Sequence, residues 1–185
     1  MRQVSGLKRF MAVLVGLAFI ATAGRSNPVE PDKLPEPVAR TFKAMFPTGT
    51  IEKLTSAEEN GMTVYDFEFR AGDREMETDI VSDGTMIEST LVIVARDIPA
   101  PAMKAIQKSA KGAKLGRLEW IKTMFEIENA QVIKLPAPVI KYAAEMSRRD
   151  KTAEIIVGPD GAVMESPVWV SNTPPKTPAD PKTAK

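Results

Sequence analysis

Thr63-Val64-Tyr65-Asp66-Phe67-Glu68-Phe69-Arg70 is followed, after Ala71-Gly72-Asp73-Arg74, by Glu75-Met76-Glu77-Thr78-Asp79-Ile80. Apolar and polar residues alternate in both runs, the period of a strand with one buried face, and the Gly-containing connection reads as a hairpin. Pairing Phe69 with Met76, Phe67 with Thr78 and Tyr65 with Ile80 also sets Glu68 opposite Glu77 and Asp66 opposite Asp79. One face of the hairpin is then apolar and the other acidic. Directly opposed carboxylates destabilise a sheet by some fraction of the roughly 0.2–1 kcal/mol that favourable pairs contribute. Water and salt reduce that penalty on an exposed face, and a cationic partner reverses it. The acidic face is therefore expected to be hydrated. It serves either as a solubilising surface or as a binding surface formed by Asp66, Glu68, Glu77 and Asp79.

Upstream of the hairpin, Pro35-Glu36-Pro37 pre-sets the backbone for a first helical turn. Val38, Phe42, Met45 and Phe46 follow at helical spacing, and Pro47-Thr48-Gly49 stops the helix. Downstream, Ser82-Asp83-Gly84 is a second turn signal and leads to a strand from Met86 to Val94. The same order of signals recurs. Leu34-Pro35-Glu36-Pro37 matches Ile98-Pro99-Ala100-Pro101, 64 positions later, while Tyr65, Asp83-Gly84 and Glu88-Ser89 match Tyr142, Asp160-Gly161 and Glu165-Ser166, each 77 positions later. The change of offset predicts a 13-residue insertion between Glu119 and Ile140. The fold class expected is α+β, with two repeated units, each an N-terminal helix packed on an antiparallel β-meander.

The ends of the chain read differently. Arg2, Lys8 and Arg9 precede an apolar run from Phe10 to Ile20 and the small residues Ala21-Thr22-Ala23, the pattern of a secretory signal whose apolar stretch is too short to span a bilayer. No stable membrane span is expected after its cleavage, and the protein is expected to be secreted or periplasmic. The divisions predicted are a signal peptide at 1–23, a linker at 24–33, units at 34–97 and 98–170 with the insertion near 120–138, and a disordered Pro/Lys-rich tail at 171–185. Without the signal the chain carries 22 Lys+Arg against 24 Asp+Glu. That balance argues against nucleic acid as a partner.

The chain has no histidine and no cysteine, which removes the side chains behind most zinc sites, Ser-His triads and thiolate nucleophiles. Glu75, Glu77 and Asp79 recur about 6.6 Å apart along one face, a separation seen between glycosidase carboxylates. A general acid, however, needs burial to raise its pKa, and the alternation puts these groups on the hydrated side. No compact Asp-rich calcium loop occurs. The expectation is no enzyme, no cofactor and no metal. Residues 34–90 carry 5 basic and 12 acidic groups and residues 98–170 carry 11 and 8, an asymmetry that orients the two units against each other or recruits opposite partners. Trp120 and Phe125, beside the insertion, are the remaining candidate binding residues, with packing as the alternative.

Leu34-Pro35, Phe46-Pro47, Ile51, the strand Tyr65-x-Phe67-x-Phe69 and the turn Asp83-Gly84 resemble the PepSY-like domain, whose relatives include the tandem β-lactamase-inhibitor proteins. The resemblance covers Leu34 to Thr90 well and Ile98 to Val170 less well, since Ala110-Lys111 replaces Phe-Pro there. It implies an exported, non-enzymatic domain that binds or restrains another exported protein, such as a peptidase, in an inhibitory or chaperone-like way. It supplies no catalytic residues. The alternative function is a small-ligand-binding or structural envelope protein with an apolar cleft between its sheets.

Overall fold

The computed structural model describes residues 27–172. The expected signal peptide and the expected tail beyond Asn172 lie outside the described residues. Ten strands occur, β1 (Asn27–Pro28), β2 (Gly49–Glu59), β3 (Met62–Ala71), β4 (Arg74–Val81), β5 (Met86–Val92), β6 (Lys114–Glu128), β7 (Gln131–Arg148), β8 (Lys151–Val157), β9 (Val163–Glu165) and β10 (Val170–Ser171). Two α-helices accompany them, α1 (Glu36–Met45) and α2 (Ala100–Ala110). Their starts follow from Pro37 and Pro101 in the first turn.

All ten strands belong to one antiparallel sheet, ordered β1-β2-β3-β4-β5-β6-β7-β8-β10, with β9 also on β8. This corrects the expected α+β fold of two repeated helix-plus-meander units. β5 and β6 join the two regions by a continuous ladder from Glu88↔Thr123 to Val92↔Glu119, and among the described residues only two short α-helices lie on the sheet. Tyr65 pairs with Ser56 and Ile80, and Tyr142 pairs with Trp120 and Val157, so both lie in interior strands of this single sheet. Period-2 patterning reports which residues share a face within a strand but not which distant strand completes its hydrogen bonds.

The helices share one face of the sheet. Val38 and Phe42 of α1 pack on Leu54, Phe67, Phe69 and Ile80. The Phe42 ring stacks on Phe67 at 4.5 Å and meets Phe69 edge-on at 5.0 Å, geometries worth about 0.5–1.5 kcal/mol beyond area burial. Ala102, Ile106 and Ala110 of α2 pack on Leu118, Tyr142, Ala144, Met146, Ile155 and Val157. Turns of the sheet fix the helix starts. A Cβ on Gly84 would stand 2.9 Å from the Pro37 carbonyl oxygen, and one on Gly161 2.6 Å from that of Pro101. Both glycines have positive φ, so two constraints favour glycine at each position.

The region expected to hold the insertion forms the long β6–β7 hairpin. Its register jumps from Thr123↔Val139 to Phe125↔Lys134, so Leu135-Pro136-Ala137-Pro138 stand opposite Met124 alone. Prolines are tolerated in a strand at such a bulge, and the ribbon beyond it is a separate arm, residues 125–134. The arm ends at Asn129 and Ala130, both with positive φ, and meets the β2–β3 turn at Asn60-Gly61. Asn60 Nδ2 donates to the Ile127 carbonyl at 2.8 Å, and the Ala130 amide donates to the Asn60 carbonyl at 2.9 Å.

Candidate functional site

The face opposite the helices carries the charged residues. Alternation along β3 and β4 places Asp66, Glu68, Glu75, Glu77 and Asp79 there, and the register sets Asp66 opposite Asp79 and Glu68 opposite Glu77. β4 in turn sets Asp79 opposite Glu88 and Glu77 opposite Thr90. The ladder through β6 and β7 adds Arg117, Glu119, Thr123 and Lys141 to the same face.

This face is not hydrated as the sequence implied. Glu77, Asp79, Glu88 and Glu119 are all buried, at 9, 6, 8 and 4% exposure. The burial comes from strands far away in sequence, which bring cations with them. Arg117 binds Glu75 through Nη1, Glu77 through Nη2 at 2.6 Å and Glu119 through Nε at 2.6 Å. Lys141 meets Glu88 at 3.0 Å, and the Thr123 hydroxyl donates to the same carboxylate at 2.5 Å. The basic excess of residues 98–170 thus neutralises carboxylates of residues 34–90. Removing one partner from a buried pair costs about 3–5 kcal/mol, because the other charge stays buried.

Asp79 stands apart from these pairs. Burial, and then the negative charges of Asp66, Glu88, Glu59 and Glu77, push its carboxyl well above the ordinary value. Burial also raises Glu59, with Asp66 and Glu88 adding to the effect. Burial raises Glu165 as well, opposed by Lys141 and assisted by Glu88. A raised pKa is what an acid catalyst uses, and Asp79 is 6% exposed. Among the described residues no group of three or more carboxylates is placed to hold a metal ion.

Of the sequence candidates, Asp66, Glu68, Glu77 and Asp79 come together, and the Glu68 side chain is 34% exposed and bound by Lys53. Trp120 and Phe125 separate. Trp120 packs against the α2 core on the helix face, and Phe125 joins the apolar cluster under the arm, with Val64, Val81, Ile87 and Ile127. Trp169, whose role the sequence left open, also packs on the α2 core, and Arg148 lies over its ring at 5.1 Å. Glu88, Arg117, Glu119, Thr123 and Lys141 were missed. Period-2 alternation in Arg117-x-Glu119-x-Ile121-x-Thr123 was the available signal, but the carboxylates that Arg117, Thr123 and Lys141 bind on β4 and β5 lie 35–53 positions away.

No protein-family model matches the chain, and no curated protein does. Solved structures do. The fold is similar to that of a BLIP-like protein. A BLIP-like protein of Bacteroides fragilis is 11% identical with a TM-score of 0.52, over 78% of this chain and 92% of that one. A DUF2874 family protein of Bacteroides uniformis is 15% identical with a TM-score of 0.52, over 71% and 86%. A candidate periplasmic protein of Bacteroides eggerthii is 15% identical with a TM-score of 0.55, over 75% and 91%. At such identities the likeness is one of fold. No helix among the described residues is long and apolar enough to cross a membrane.

Proposed function

We propose that the protein is an exported, non-enzymatic module that binds and restrains another exported protein through the carboxylate face of its sheet. The observation that carries this reading is the fold shared with a BLIP-like protein over 92% of that chain. The leader-like segment around Arg2, Lys8 and Arg9, and the candidate periplasmic neighbour, support export. The narrower PepSY-like affiliation rests on the motif residues between Leu34 and Thr90. An apolar cleft between two sheets, the alternative read from sequence, has no basis in a chain whose described strands form one sheet.

Glu68 and Glu75, with side chains 34 and 42% exposed, form the accessible rim of the acidic face. A partner with a basic surface gains from them without the cost of fully desolvating a charge. Affinity capture with the mature chain from an envelope extract, followed by titration of the identified partner in purified form, tests the reading. The expected outcome is a saturable complex that Glu68→Lys weakens about tenfold or more through charge reversal on the rim. A partner bound equally by wild type and Glu68→Lys would remove the face from the proposal, and hydrolytic turnover abolished by Glu77→Gln would overturn it.

A further inference from the structure

The β6–β7 arm and the buried carboxylates sit side by side. The arm lays Phe125, Ile127 and Val132 on Val64, Val81, Ile87 and Met62. Three of these contacts neighbour an acid in the chain, Asp79 two residues before Val81, Asp66 two after Val64 and Glu88 next to Ile87, and Glu59 is next to the Asn60 that receives the arm's tip. Closing the arm therefore packs apolar side chains against an acidic cluster and takes water from it. Charge in such a place is costly unless it is paired or neutralised.

The surroundings of Asp79 give it no cation. From β2 it faces Glu59, from β3 Asp66, from β4 Glu77 and from β5 Glu88, and these are the charges that act on it. Arg117 on β6 is engaged by Glu75, Glu77 and Glu119, and Lys141 on β7 by Glu88. Glu165 on β9 lies within the field of Lys141 and Glu88. The arm contributes Lys134, but that residue is exposed. The second requirement for a switch is an element that can move. The mismatch of Leu135-Pro136-Ala137-Pro138 against Met124 interrupts the ladder, so the arm is joined to the sheet there by a bend in the strands rather than by continuous pairing, and its tip is held by the two hydrogen bonds at Asn60.

We propose that the 125–134 arm is a proton-coupled latch: it closes on the Asn60-Gly61 turn when the Asp79 cluster takes up a proton and releases as the cluster ionises. An acid that holds its proton more tightly in the closed form contributes closing free energy that is fully present below its open-form pKa. That contribution is lost as the pH rises through the closed-form value. The latch therefore tightens in acid.

Amide hydrogen exchange of the mature protein between about pH 4.5 and pH 8, corrected for the chemical exchange rate, reads the latch directly. The Ala130 amide and its neighbours in the arm should lose protection as the pH rises, by up to about tenfold per pH unit where one proton is linked. Residues 114–122 of the same strand should not follow. Asp79→Asn should flatten the arm's pH profile, and Glu59→Gln should shift it in the same sense if Asp79→Asn does not fold. Arm protection that is constant or increases with pH would overturn the proposal, as would an unchanged profile in both variants.

Discussion

Arg117 reaches three carboxylates on two strands at once, Glu75 and Glu77 on β4 and Glu119 on its own β6, spanning the intervening β5. Arg117→Ala strips Glu77 and Glu119 of that partner while leaving them buried, and is expected to lower unfolding free energy by about 3 kcal/mol, read from urea midpoints at pH 7. Asp79 predicts the reverse sign. Its raised pKa makes its contribution to stability complete in acid and lost as the pH rises, so Asp79→Asn should exceed wild type at pH 8 by on the order of 1 kcal/mol. The gap should close as the pH approaches 4. The pairing of Asp66 with Asp79 and of Glu68 with Glu77 was legible in sequence, because period 2 and a short turn together fix a register. The burial of Glu77 and Asp79 was not, because it depends on Arg117, Lys141 and the strands that carry them.

The two helices begin and end close to where Pro35-Glu36-Pro37 and Pro99-Ala100-Pro101 place them, since a proline's effect on its own turn is local. The strand after Asp83-Gly84 was likewise legible, running Met86–Val92. The arm of β6 and β7 was legible only as extra length. Nothing near Met124 or Leu135 announces a contact with Asn60, more than 60 positions away. Gly61 is the residue on which that contact turns. A methyl group there would stand 3.1 Å from the Ala130 Cβ at a backbone φ of +84°, so Gly61→Ala should cost about 1–2 kcal/mol and unfasten the tip. The check is faster exchange of the arm's amides with little change in α1. In the α1 core, Phe67→Ala removes a fully buried ring stacked on Phe42 and should cost about 3–5 kcal/mol in thermal or urea unfolding.

At the scale of the whole molecule, the ladder between β5 and β6 makes the two helix-bearing regions parts of one sheet. Calorimetry of the intact chain should therefore give a single transition with matching calorimetric and van't Hoff enthalpies. Two resolved transitions would mean that β5 and β6 separate before the rest. The repeated turn and proline signals in the sequence reported local geometry but not the β5–β6 ladder that makes one sheet, since the same signals serve a continuous sheet. The margins of that sheet remain to be considered. β2 is covered only at Thr55 and Ser56 by the two residues of β1, and β8 only at its ends by β9 and β10. A bare strand margin is a template on which another chain can stack, and these fragments, with β10 barely two residues long, are what interrupts it. Loss of β1 or β10 would bare a rim on which fibrous assembly can be seeded, so the least conspicuous pieces of the chain guard its colloidal behaviour.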